Sequence, residues 1–65
     1  KTCRKEFNIE FVKSSGGINP PSSMANFYCD CIESALMSGA TLSTGVNFCV
    51  EMTYLQYEEW YDSLR

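Results

Sequence analysis

Cys3, Cys29, Cys31 and Cys49 carry most of the chemistry this chain can do. Four thiols can pair as two disulfides, hold a zinc ion or run a redox couple. Zinc takes four ligands tetrahedrally, and its cysteines usually come as two Cys-x2-4-Cys pairs. Here one pair is Cys-x-Cys, the other two cysteines stand far apart, and no histidine is present to share the work. The usual redox motif is Cys-x-x-Cys beside a βαβ pattern, and neither occurs. An even number of cysteines in a short chain points instead to a disulfide framework made in an oxidising compartment. Two disulfides are expected, with no metal and no cofactor.

Other chemistry is thin. Without histidine the commonest general base is missing, and no Ser-His-Asp or Cys-His constellation can be assembled. Asp30, Glu33, Glu51, Glu58, Glu59 and Asp62 could formally supply a glycosidase-like carboxylate pair. Solvated acidic helix faces are the simpler reading. A chain of 65 residues has little room to bury a cleft that raises a carboxyl pKa. Gly16-Gly17 reads as a helix stop, not as a phosphate-cradling loop. The protein is expected not to be an enzyme.

The cysteines must be positioned by one small domain spanning residues 1–65, and three segments are visible in it. Gly16-Gly17 with Asn19-Pro20-Pro21, and then Ser38-Gly39-Ala40-Thr41, separate them. In the first, Cys3, Phe7 and Phe11 recur every four residues, one helical face. Thr2 is a candidate cap there, and Gly16 or Gly17 the left-handed stop. The second segment, from about Pro21 to Met37, is the clearest helix. At about 100° per residue, Met24, Phe27, Tyr28, Cys31, Ile32 and Ala35 share one side. The third, from about Ser43 to Leu64, places Val46, Cys49, Val50, Tyr54, Tyr57, Trp60, Tyr61 and Leu64 in a helical stripe. Thr41 or Ser43 can cap it, and a break near Tyr54–Gln56 would divide it in two. The expected fold is all-α: a three-helix domain stapled by two disulfides. The competing reading is a small α+β fold with strands near 7–11 and 46–54, where the residues also alternate.

The helix decides much of the pairing. Two residues apart on a helix, Cys29 and Cys31 point about 200° apart and cannot reach each other. That excludes Cys29–Cys31 and, with it, Cys3–Cys49. Cys3–Cys29 with Cys31–Cys49 is favoured over the crossed Cys3–Cys31 with Cys29–Cys49. Either way the central helix is tied to both neighbours.

The stretch Tyr54-Leu55-Gln56-Tyr57-Glu58-Glu59-Trp60-Tyr61-Asp62 holds four aromatics and three carboxylates. Most of its rings are accounted for by finishing a small core. Phe48, Met52 and Leu55 are surplus, because they lie opposite the core stripe at spacings of four and three. An apolar line beside tyrosines, a tryptophan and acids has the make-up of an interface. Phe48, Met52, Leu55, Tyr57, Glu58, Glu59, Trp60 and Asp62 are therefore the candidate partner-binding residues. The formal charge is −3, and the five basic residues form no run. Nucleic acid, which needs a basic footprint, is not expected as a partner. A larger basic protein is, and self-association is also open. No run of about 18 apolar residues is present, so no transmembrane segment is expected. Lys1-Thr2-Cys3 reads as the start of a mature or trimmed chain.

Phe11-Val12-Lys13-Ser14-Ser15-Gly16-Gly17 followed by Tyr28-Cys29-Asp30-Cys31-Ile32 resembles a loose group of small helical proteins exported by Gram-negative bacteria. Members show an aromatic-Cys-x-Cys start to a helix, with one cysteine before it and one after. This chain has Ser14-Ser15 where the group places a cysteine ahead of the glycines, so Cys3 must stand in from upstream. The resemblance covers about half the chain and implies a periplasmic or secreted location. Three functional readings follow. The first is a binding module of the inhibitor or immunity type. The others are a secreted ligand or toxin acting on a receptor or membrane, and a structural piece of an envelope or virion assembly. Native mass spectrometry checks the cysteine reading: the protein is expected about 4 Da lighter than its fully reduced form, and added zinc mass would refute it.

Overall fold

The first two helices of this chain end at glycines whose backbone no other residue adopts easily. The computed structural model describes residues 2–64, which form four helices and no strand. They are α1 (Thr2–Ser14), α2 (Ser22–Met37), α3 (Leu42–Gln56) and α4 (Glu58–Asp62). After α2, Gly39 turns to φ +97°. Its N–H then donates to Leu36 O at 3.0 Å, and the N–H of Ala40 donates to Ala35 O at 3.1 Å. These are the two bonds of a Schellman stop. After α1, Gly16 takes φ +77° and the N–H of Gly17 donates to Val12 O at 2.8 Å. Thr41 caps α3, its Oγ1 accepting from the N–H of Thr44 at 3.2 Å. Thr2 lies within the first turn of α1 and not ahead of it.

The all-α expectation with two disulfides holds, and the α+β alternative is overturned. Residues 7–11 belong to α1 and 46–54 to α3. Phe7 and Phe11, four apart, bring their rings to 5.9 Å on one helix face, where four residues of strand would hold them about 13 Å apart. The third segment does break, one residue beyond the expected stretch. Tyr57 leaves helical geometry at φ −114°, ψ 27°, and a five-residue α4 follows.

The disulfides take the favoured pairing. Cys3 joins Cys29, and Cys31 joins Cys49. α2 is thus the common spine, with α1 stapled to one side and α3 to another. α2 and α3 run antiparallel in a register read from successive contacts. Ala35 meets Gly45, Cys31 bonds to Cys49, and Ser23 accepts from the Tyr57 hydroxyl at 2.7 Å. Each step of about one turn back along α2 matches one forward along α3.

The buried line of α3 is Gly45, Cys49 and Thr53. The expected stripe of Val46, Cys49, Val50 and Tyr54 is displaced by a residue; Val50 and Tyr54 are exposed. Close approach explains this. A Cβ on Gly45 would stand 3.3 Å from that of Ala35, so small residues carry the contact. Among the described residues, the fully buried apolar core is Met24, Ala25 and Cys49. α1 has no buried residue at all. The surface of 4724 Å² exceeds by about a tenth the roughly 4200 Å² of a compact monomer of this mass. The radius of gyration, 11.8 Å, also exceeds the roughly 10.7 Å of a compact chain.

Two opposed effects act at Gly45. Alanine gains about 1 kcal/mol of helix propensity but must push Ala35 by a few tenths of an ångström. Gly45→Ala is therefore expected to shift stability by less than about 1 kcal/mol. Gly45→Val, which overpacks the contact, should cost about 1–3 kcal/mol. Thermal unfolding of the two oxidised variants checks the difference.

Candidate functional site

Once Gly45, Cys49 and Thr53 face α2, the rest of α3 must present its apolar residues elsewhere. Phe48, Met52 and Leu55 fall on its outer side and are 55%, 38% and 54% exposed. Glu51 on the same helix, and Glu58, Glu59 and Asp62 on α4, are exposed too. The outer face is thus an apolar line with acids along it and beyond its C-terminal end.

Two of the expected partner-binding residues are occupied within the molecule. Tyr57 hydrogen-bonds to Ser23 and sets its ring edge-on to Phe27 at 6.3 Å. Trp60 lies 5.8 Å from Phe11 and 5.1 Å from Tyr61. Both side chains are half-buried. The bend at Tyr57 causes this, because it turns α4 back toward α1 and makes Phe11 the seat for Trp60 and Tyr61. Rings then run in a chain from Tyr28 through Phe7 and Phe11 to Tyr61 and Tyr54. Six of the eight expected residues, Phe48, Met52, Leu55, Glu58, Glu59 and Asp62, remain exposed.

The structure adds a second surface that sequence reasoning did not find. α1 and α3 both pack on α2, yet no Cα of α1 comes within 8 Å of one in α3. Between them runs an open groove of about 910 Å³. Phe7 and Phe11 form one wall, Val46 and Val50 the other, and Tyr28 and Ile32 of α2 contribute the floor. Tyr61 and Thr53 also line it. The readable signal was Leu42, Val46 and Val50 at steps of four, of which Val46 and Val50 were absorbed into the expected core stripe and Leu42 fell outside it.

Polar groups in the groove are few. Glu6 and Glu10 of α1 are the charged residues that line it. Glu10 has Lys13 at 4.0 Å, a solvent-exposed pair that contributes little. Thr53 is buried, and its Oγ1 has no hydrogen-bond partner. Burial raises the Tyr28 phenol above its ordinary value. Burial raises Tyr61 as well, with the neighbouring Tyr54 adding to the effect. Both stay neutral at physiological pH. All four cysteines are consumed in the two bridges, and none is free. Among the described residues, no group of three or more His, Cys, Asp or Glu is placed to hold a metal ion, and no helix is long and apolar enough to cross a membrane.

The raised tyrosines make stability depend on alkaline pH. A phenol whose folded pKa lies above its unfolded value near 10 contributes fully below that pH. The contribution is lost as pH climbs through the folded pKa, because the unfolded chain releases its proton first. Denaturation midpoints should therefore fall as pH rises above about 10, and phenolate absorbance should lag in the folded protein. Tyr28→Phe should reduce that slope; an unchanged slope would refute the assignment.

The chain matches no family model, no curated protein and no solved structure.

Proposed function

We propose that the protein is an exported binding module of the inhibitor or immunity type, acting on a larger, basic protein and performing no catalysis itself. The observation that carries this reading is the outer face of α3. Phe48, Met52 and Leu55 stand exposed in one line on α3, beside a fully buried apolar core of small extent. Exposed apolar lines with a charged edge are the usual make-up of protein interfaces. Glu51, Glu58, Glu59 and Asp62 favour a basic partner, through steering more than through affinity. Tyr57 and Trp60 support the site from behind, by fixing the bend that sets α4 beside it.

A periplasmic or secreted setting fits the same reading. Two disulfides persist where the compartment is oxidising, and the resemblance to exported Gram-negative proteins points the same way. A second reading draws on a different observation. Met37, 82% exposed, and Leu42, 61% exposed, flank the turn between α2 and α3. Apolar side chains at that tip suit a building block of an envelope or virion assembly, which would self-associate.

The test is affinity capture from the exported fraction of the source cells. Immobilised oxidised protein is expected to retain a basic protein whose binding weakens with salt. Leu55→Asp should reduce that binding by about 30-fold or more, as for an interface hot spot. Glu59→Lys should mainly slow association. Retention that is indifferent to both changes would refute the surface. Concentration-dependent assembly of the free protein, abolished by Met37→Ser, would select the second reading.

A further inference from the structure

The groove between α1 and α3 is independent of the outer face of α3, and its chemistry is specific enough to name a ligand class. Its volume, about 910 Å³, falls in the upper part of the range of small-molecule sites. Its walls are aromatic on one side and aliphatic on the other. Phe7, Phe11, Tyr28 and Tyr61 all present ring surface to it.

Charge decides which apolar molecule fits. Among the described residues, Glu6 and Glu10 are the charged ones that line the groove, and no lysine or arginine does. An anionic amphiphile such as a fatty acid would meet two carboxylates, with the exposed Lys13 beside Glu10 as a weak counter-charge. A cationic one meets those carboxylates and several ring faces, whose quadrupoles attract cations. The tyrosines are neutral at physiological pH, so they add ring faces without charge. Thr53 lines the groove as a residue, but its Oγ1 is closed off from solvent and has no hydrogen-bond partner.

We propose that the α1–α3 groove is a binding site for a small organic cation, an ammonium group carried on a long alkyl or aromatic body. The apolar body lies along Phe7, Phe11, Val46 and Val50, and the cation sits at the rim beside Glu6 and Glu10.

Decyltrimethylammonium and decanoate test this, because they share a tail and differ in charge. Both are titrated into the oxidised protein below their micelle-forming concentrations, with binding located by amide and side-chain NMR shifts. The ammonium compound is expected to bind about ten-fold or more tighter than decanoate. Its shifts should fall on Phe7, Phe11, Tyr28, Ile32 and Val46, leaving Phe48 and Leu55 unmoved. Val50→Trp, at an exposed position, should fill the groove and remove the binding. The exposed pair Glu6→Gln and Glu10→Gln should keep the fold and lose the charge preference. Equal or tighter binding of decanoate would overturn the proposal, as would shifts centred on the outer face of α3. An amphipathic Leu/Lys peptide that binds the groove when decyltrimethylammonium does not would assign it to a protein segment, and would equally overturn it.

Discussion

A helix turns about 100° per residue, so Cys29 and Cys31 leave α2 in nearly opposite directions. Almost everything else in the molecule follows from that angle. One bridge draws α1 to the spine and the other draws α3, and the two outer helices are held apart instead of together. The loops closed span 26 and 18 residues. In the chain-entropy model each contributes about 3 kcal/mol. That matters because so little is fully buried: Met24, Ala25 and Cys49 on the apolar side. A closed three-helix bundle would bury the inner faces of all three helices. This one leaves a trough between two of them, and its extra surface and length are the measurable result.

The sequence revealed what depends on local geometry. Both helix stops were marked by glycines, because only they take positive φ without strain. The disulfide pairing was narrowed by helical period alone, before any contact was known. The tertiary contacts were harder. Gly45 and Thr53 are not hydrophobic signals, yet both are buried, and at Gly45 the near approach of Ala35 selects for size over hydropathy. Val46 and Val50 then looked like core and became a groove wall. The bend at Tyr57 was anticipated nearby, but its purpose was not. Nothing local says that Trp60 will turn back to meet Phe11, forty-nine residues earlier in the chain. The surplus at Phe48, Met52 and Leu55 was legible by counting faces, since one helix in so small a protein cannot bury all of them.

α3 therefore serves three neighbours at once. Its narrow side of Gly45, Cys49 and Thr53 meets α2. A second side of Val46 and Val50 faces the trough, and a third of Phe48, Met52 and Leu55 faces outward. Acids border both free sides, Glu6 and Glu10 across the trough and Glu51 with the α4 carboxylates on the outside. A molecule with this distribution is suited to holding things that carry positive charge and some apolar surface.

The attachment of α1 has a consequence for where such a molecule can work. Apart from its bridge, α1 is held by half-buried Phe7 and Phe11 and by an exposed hydrogen bond from Arg4 to Asn26 at 2.8 Å. Those contacts are small against the conformational freedom of thirteen residues, which costs about 1–2 kcal/mol each to restrain. Cys3 is exposed and Cys29 half-buried, so this bridge lies nearer the surface than the one through buried Cys49. A reducing environment would free α1 while the α2–α3 pair kept its buried link through Cys49. The wall of the trough that Phe7 and Phe11 supply is thus tied to the spine by one bridge and by ring contacts to Tyr28, Trp60 and Tyr61.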